Sequence, residues 1–256
     1  LSHPKIDVNQ LLLIKKDGEN RIPPLYSAII VKDTEIISLL LAHKDINVNL
    51  RAEFKSNNGK TTSNLLASAI TSNKEEIIKL LLNCKDINVN DIVISDYPNE
   101  SYTEKSLLSF AIDTHYDEMV NIMLDHPNIN VNVTDYAQNG DKSITKITWL
   151  LHKAICMSSI DIISKILDNK KVDVNVKSQI KKINNDSIVE EELTTLYFAV
   201  SQRKLDIVKL LITKEGLNVN LNIIERVSYS NGTCEEEEKS ILQVAIIVDD
   251  FEIFQF

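Results

Sequence analysis

A chain of 256 residues would ordinarily form one or two globular domains, and its 43% hydrophobic content is that of a folded protein. The formal net charge of −9 argues against nucleic acid and anionic membranes as main partners. No apolar run approaches the roughly 18 residues needed to span a bilayer, and no secretory signal is visible, so a cytoplasmic protein is expected.

In chain order, residues 1–9 read as the tail of a preceding unit that closes at Ile6-Asp7-Val8-Asn9. Lys44-Asp45-Ile46-Asn47-Val48-Asn49 then recurs letter for letter as Lys85-Asp86-Ile87-Asn88-Val89-Asn90, and looser copies end at Asn9, Asn132, Asn175 and Asn220. Self-similarity at a near-fixed period marks a repeat architecture. An alanine stands 21 residues before each closing asparagine: Ala28, Ala69, Ala111, Ala154 and Ala199, with Ala245 opening a sixth copy. The spacing from each asparagine to the next alanine grows instead, from 19 residues (Asn9 to Ala28) to 25 (Asn220 to Ala245). Packed elements lose register when residues are inserted, whereas surface loops tolerate them. The constant half is therefore the expected core, and the growing half a projection into solvent.

The constant half reads as two helices. The first carries the i, i+3, i+4 stripe Leu25/Ala28/Ile29, repeated at Leu66/Ala69/Ile70, Leu108/Ala111/Ile112, Leu151/Ala154/Ile155, Leu196/Ala199/Val200 and Leu242/Ala245/Ile246. The small alanine lets a neighbouring helix approach closely. The second carries Ile36/Ile37/Leu40/Leu41, repeated at Ile77/Ile78/Leu81/Leu82 and Ile207/Val208/Leu211/Ile212. Seven residues after each alanine stands an acid: Glu35, Glu76, Glu118, Asp161, Asp206 and Glu252. In the first turn of a helix a carboxylate complements the exposed amides and the helix dipole. That reading is preferred to a catalytic or metal-binding ladder.

The growing half is polar, with short alternating runs such as Asn222-Ile223-Ile224-Glu225-Arg226-Val227. Asp17-Gly18, Asn58-Gly59, Asn139-Gly140 and Asn231-Gly232 are strong hairpin-turn pairs. Tyr97-Pro98-Asn99 and Asn184-Asn185-Asp186 supply turn chemistry in the other two segments. In the fifth hairpin, Lys177/Lys181/Lys182 should face Glu190-Glu191-Glu192 across the strands. The sixth carries Glu235-Glu236-Glu237-Glu238, read either as a solvated edge that discourages aggregation or as an acidic site for a basic partner.

Hairpin, helix, helix, with Pro23-Pro24-Leu25-Tyr26-Ser27-Ala28, Trp149-Leu150-Leu151-His152-Lys153-Ala154 and Thr194-Thr195-Leu196-Tyr197-Phe198-Ala199 opening first helices, resembles the ankyrin repeat. The closures Asn47-Val48-Asn49 and Asp173-Val174-Asn175 fit the same likeness, which covers nearly the whole chain. The chain departs from that family in its longer hairpins and in lacking most of the turn glycines, Gly216 being the main survivor. An all-helical HEAT-like stack fits the raw period, but the hairpin turn pairs argue against it. The expected fold class is a mainly α repeat solenoid, an ankyrin-like helix-turn-helix stack with long β-hairpins at a period of about 40–46 residues. The expected domain organisation is one solenoid over residues 1–256, both ends cut from a longer array. Phe254 and Phe256, in the truncated last helix, should then promote self-association, readable by light scattering.

Sites of chemistry are not expected. Cys84, Cys156 and Cys234 are dispersed without a Cys-x-x-Cys, so reduced thiols are the default. No phosphate loop, dinucleotide fingerprint or zinc-protease motif is present, so no enzyme, cofactor, metal or small-molecule substrate is expected. The resemblance implies that His152 is a structural hydrogen-bonder. It also implies a protein-binding scaffold that works through hairpin tips and the first-helix residues two and three after the alanine. Its central partner-binding residues are Thr71, Ser72, Asp113, Thr114, Cys156, Met157, Ser201 and Gln202. The alternative is a targeting or regulatory arm of a larger enzyme or channel.

Overall fold

The computed structural model describes residues 6–15, 18–97, 100–248 and 252–253. The chain divides into two compact units, Leu1–Ile129 and Asn130–Phe256. The first holds β1 (Leu12–Ile14), β2 (Asn20–Ile22), α1 (Pro24–Val31), α2 (Thr34–Leu41), β3 (Arg51–Ser56), β4 (Gly59–Asn64), α3 (Leu65–Ser72), α4 (Glu75–Leu82), β5 (Ile92–Tyr97), β6 (Ser101–Ser106), α5 (Leu107–Asp113) and α6 (Asp117–Leu124). The second holds β7 (Thr134–Asn139), β8 (Ile144–Trp149), α7 (Leu150–Met157), α8 (Ile160–Leu167), β9 (Lys177–Ile183), β10 (Ser187–Thr194), α9 (Thr195–Ser201), α10 (Leu205–Ile212), β11 (Ile223–Tyr229), β12 (Cys234–Lys239) and α11 (Ile241–Ile247).

The repeating element is thus a β-hairpin followed by two short helices. Asn58-Gly59, Asn184-Asn185-Asp186 and Asn231-Gly232 connect paired strands as expected, and Asn139-Gly140 ends β7. Asp17, Pro98 and Asn99 lie outside the described residues, as do Phe254 and Phe256. Gly59 does more than turn the chain. At φ +154°, a Cβ there would sit 2.3 Å from the Asp96 carbonyl oxygen, so the second hairpin meets the third too closely for any side chain.

The mainly α fold class is corrected. Strand accounts for 29% of the chain and helix for 36%, with twelve antiparallel strands and eleven helices among the described residues. The hairpins do not merely project. In the first unit β1 to β6 pair in chain order, each hairpin bonding to the next through Arg21↔Glu53 and Lys60↔Asp96. In the second, β7 to β12 do the same, through Thr145↔Lys181 and Glu190↔Arg226. Lengthening a hairpin beside an equally long neighbour satisfies two more ladders of backbone groups. The growing segments therefore become a sheet instead of remaining loops.

The helical stripes are buried where the sequence places them. Leu25, Ala28, Ile29, Leu66, Ala69, Ile70, Leu108, Ala111, Ile112, Leu151, Ala154 and Ile155 are at most 4% exposed. The sixth stripe differs: Ala245 is buried, but Leu242 and Ile246 are more than half exposed. In the second helices Ile37 and Leu40 are buried while Ile36 is 46% exposed, and Ile212 is exposed too. The α2 stripe is thus narrower than the sequence suggests, whereas Ile77, Ile78 and Leu81 of α4 and Ile207, Val208 and Leu211 of α10 are buried as expected. The acids at Glu35, Glu76, Glu118, Asp161 and Asp206 do sit in first turns. First helices begin on side-chain caps at Asn64, Ser106, Thr194 and Ser240, on Pro24 in α1, and on Trp149 without a side-chain cap in α7. Lys32, Asn73, His115 and Arg203 take left-handed backbone angles in the turns between helices. The missing glycines are thus replaced in sequence but not in conformation.

The closing asparagines stitch successive repeats. In the first unit Asn9 Nδ2 donates to Asp45 O (2.7 Å) while its Oδ1 accepts from Asn47 N (2.9 Å). Asn49 does the same with Asp86 O (2.6 Å) and Asn88 N (2.8 Å). In the second unit Asn132 pairs with Lys171 O and Asp173 N, and Asn175 with Gly216 O (2.7 Å) and Asn218 N (2.8 Å). A carboxamide offers a donor and an acceptor on separate atoms of one short side chain, spaced to reach two backbone groups at once. Aspartate at these positions would lose the donor. Asn175→Ala is expected to cost about 1–2 kcal/mol in urea unfolding, from two lost hydrogen bonds. Asn175→Asp should cost at least half as much.

Candidate binding groove

In the second unit the inner face of the β10–β12 sheet meets the exposed sides of α9 and α11. The Thr194 side chain accepts from Tyr197 N (3.3 Å) and starts α9. Leu196, Ala199 and Val200 point into the core, which turns Tyr197 and Ser201 toward the sheet. A capping box of Ser240 and Gln243 starts α11, whose Val244 and Ala245 are buried. Ile247, at 68% exposure, stays in the open. A pocket of about 240 Å³ lies between these elements. Leu193, Tyr197, Ile223, Val244 and Val248 supply apolar lining, and Glu191, Glu225, Glu237 and Lys239 supply charge.

Strand register explains which charges meet there. Side chains alternate faces along a strand, and directly opposed residues share one. Glu191 opposes Glu225, and Glu225 opposes Glu237. Three carboxylates therefore stand side by side on the inner face. Lys182 bonds Glu191 (2.5 Å) and Lys239 bonds Glu237 (2.9 Å). The hydrogen bond to Glu237 is the main cause raising the Lys239 pKa above its ordinary value, with the charges of Glu237 and Glu225 adding and burial opposing. Glu225 itself has no hydrogen bond or ion pair from its carboxylate among the described residues. The outer face contrasts with this. There Lys181–Glu190 (2.7 Å), Lys177–Glu192 (3.0 Å), Arg226–Glu192 (3.5 Å) and Arg226–Glu236 form a paired network. The expected attraction between the two arms of the fifth hairpin is thus present on both faces.

Like charges directly opposed in a sheet are destabilising. Glu225→Thr, which also raises strand propensity, is expected to stabilise the protein by roughly 0.2–1 kcal/mol in urea unfolding at low salt. The gain should shrink as salt screens the repulsion.

The eight residues singled out from sequence fall in varied surroundings. Thr71 and Thr114 are exposed, but their hydroxyls bond back to Ala67 O (2.8 Å) and Ala111 O (2.6 Å) in their own helices. Ser72 is buried and bonds to Ala69 O (2.7 Å). Asp113 is half-buried and pairs with Lys105 of β6 (2.6 Å). Cys156 is half-buried, its thiol pKa pushed up by burial, and its carbonyl accepts from Lys204 Nζ (3.4 Å). Met157 and Gln202 are exposed. Of the eight, Ser201 lines the pocket. The carboxylate row was missed because neighbourhood across strands depends on register. The alternating run at Asn222–Val227 and the acidic runs Glu190-Glu191-Glu192 and Glu235-Glu236-Glu237-Glu238 were the visible signals, but they did not show which of their carboxylates would meet.

Elsewhere, His152 on α7 is fully buried, its ring nitrogens 2.7 Å from Ser178 Oγ and 2.8 Å from Thr195 Oγ1. It stacks on Phe198 at 4.5 Å. Burial pushes its pKa down to about 3, against a smaller opposing effect of a hydrogen bond with the Val176 backbone. It is a neutral structural histidine. Among the described residues no group of three or more His, Cys, Asp or Glu could hold a metal ion, and no helix is long and apolar enough to cross a membrane.

Residues 5–93 match the family model for ankyrin repeats (3 copies). No curated protein matches the sequence. That stretch of the chain carries ankyrin repeats, which indicate a protein–protein interaction module and imply protein partners. The family is generally non-catalytic.

Proposed function

We propose that this chain is a non-catalytic scaffold that binds partner proteins in the groove between its hairpin sheet and its first helices. The open, mostly apolar pocket over α9 and α11 carries this reading, because apolar surface left uncovered beside a few oriented charges is the usual form of a docking site. In the second unit Met157, Ser201 and Gln202 add to the contact surface, and in the first unit Thr71, Asp113 and Thr114 hold the equivalent positions on its own first helices. Ser72 and Cys156 stand at the same repeat positions but are buried and half-buried. Intracellular action suits three unbridged cysteines. Neither nucleic acid nor a small-molecule substrate is a partner in this proposal.

A phage-displayed peptide library panned against the immobilised chain tests this directly. Selected peptides should bind Ile247→Asp and Ser201→Arg at least tenfold more weakly. They should bind Glu76→Lys, on the exposed side of a second helix in the other unit, as well as the wild type. Equal affinity for all four proteins would exclude the groove.

A further inference from the structure

We propose that the groove over α9 and α11 accepts an arginine side chain from the partner, with Glu225 as its carboxylate. The inference rests on the binding-groove reading and adds the chemistry of the occupant. Three observations converge on it. The first is shape: a pocket of about 240 Å³ is walled by Leu193, Ile223, Val244 and Val248, which suit the aliphatic stem of a long side chain. The second is charge. Lys182 and Lys239 claim the outer two carboxylates of the inner row, and Glu225 between them has no hydrogen bond or ion pair among the described residues, only the more distant charge of Lys239. The third is economy of structure. On the outer face of the same strands Glu190, Glu192 and Glu236 each pair with a cation, yet the inner face keeps a carboxylate between two others at a cost in stability.

Arginine fits better than lysine for physical reasons. Its guanidinium sheds water more readily than an ammonium, so apolar walls cost it less. Its planar fork can bond Glu225 with two parallel N–H donors. Tyr197 lies in the pocket wall, and an aromatic ring there suits a guanidinium better than an ammonium. Directly opposed side chains in a sheet lie about 5 Å apart at Cβ. The flanking Glu191 and Glu237 therefore add field at the same point, and the two lysines beside them leave the row of three carboxylates one charge short of balance.

The test uses peptides enriched from the library on the wild-type chain. Enriched peptides should share an arginine flanked by aliphatic residues. Replacing that arginine by citrulline keeps shape and removes charge, and should weaken binding about a hundredfold. Lysine in its place should weaken binding about tenfold. On Glu225→Gln the arginine and citrulline peptides should bind within a few-fold of each other. Three results overturn the proposal while leaving the groove in place: enriched peptides without arginine that are still blocked by Ile247→Asp; a citrulline penalty that is as large on Glu225→Gln as on the wild type; or a dimer of the chain itself, seen by light scattering and abolished by Ile247→Asp. Failure of any peptide to enrich, or binding indifferent to Ile247→Asp, removes both readings together.

Discussion

His152→Ala should destabilise the second unit by about 3–5 kcal/mol. The substitution opens a cavity beside Phe198 and leaves the Ser178 and Thr195 hydroxyls, both buried, without their imidazole. The same residue makes a signed prediction for pH. The folded state holds the imidazole neutral, with a pKa near 3, whereas an unfolded chain protonates it at its ordinary value near 6.5. The unfolded state therefore binds more protons as pH falls below about 6.5. Stability drops through that window and stops dropping, on this account, below about pH 3. Between pH 7 and pH 5 the loss should be about 2 kcal/mol from this one group. His152→Gln cannot titrate there and should show a correspondingly flatter profile in urea unfolding across that range. Parallel profiles for the two proteins would remove the neutral-imidazole account.

Ala69→Leu should cost about 3 kcal/mol, one of the larger effects available in the first unit. Ala69 has no exposed surface, and its helix α3 packs against α1 on one side and α5 on the other. Three extra heavy atoms there have nowhere to go without separating helices whose backbones the alanine brings together. Ala69→Gly adds no volume and should cost only about 1 kcal/mol, the difference in helix propensity. The contrast between the two variants separates crowding from propensity. A leucine tolerated within about 1 kcal/mol would mean that the recurring alanine does not set helix approach.

Several features were legible from residues alone because they are local. Turn pairs such as Asn231-Gly232 specify a hairpin through backbone angles. The Leu66/Ala69/Ile70 stripe specifies a buried helix face through its period, and Glu76 marks a helix start through the dipole. The facing charges of Lys181 and Glu190 followed from hairpin pairing. The fold class was not legible in the same way. Each hairpin was visible, but its weight in the architecture depends on whether neighbouring hairpins bond to each other, and pairings such as Lys60↔Asp96 join residues 36 positions apart. The same limit hid the repeat-closing bonds. The asparagines stood out by recurrence, yet their partners lie in the next repeat.

The candidate site shows the same division. Sequence marked Ser201 by its place after an alanine, and the pocket includes it. Ser72 occupies the equivalent place in its own repeat and is buried. By itself the sequence determined where the chain turns, which helix faces are apolar and how often the unit repeats, because each depends on interactions within one repeat. Tertiary structure alone decided that the hairpins join into sheets and that Glu191, Glu225 and Glu237 share a face. Register across strands depends on partners distant in sequence, and a shift of one residue would have sent every side chain of a strand to the opposite side.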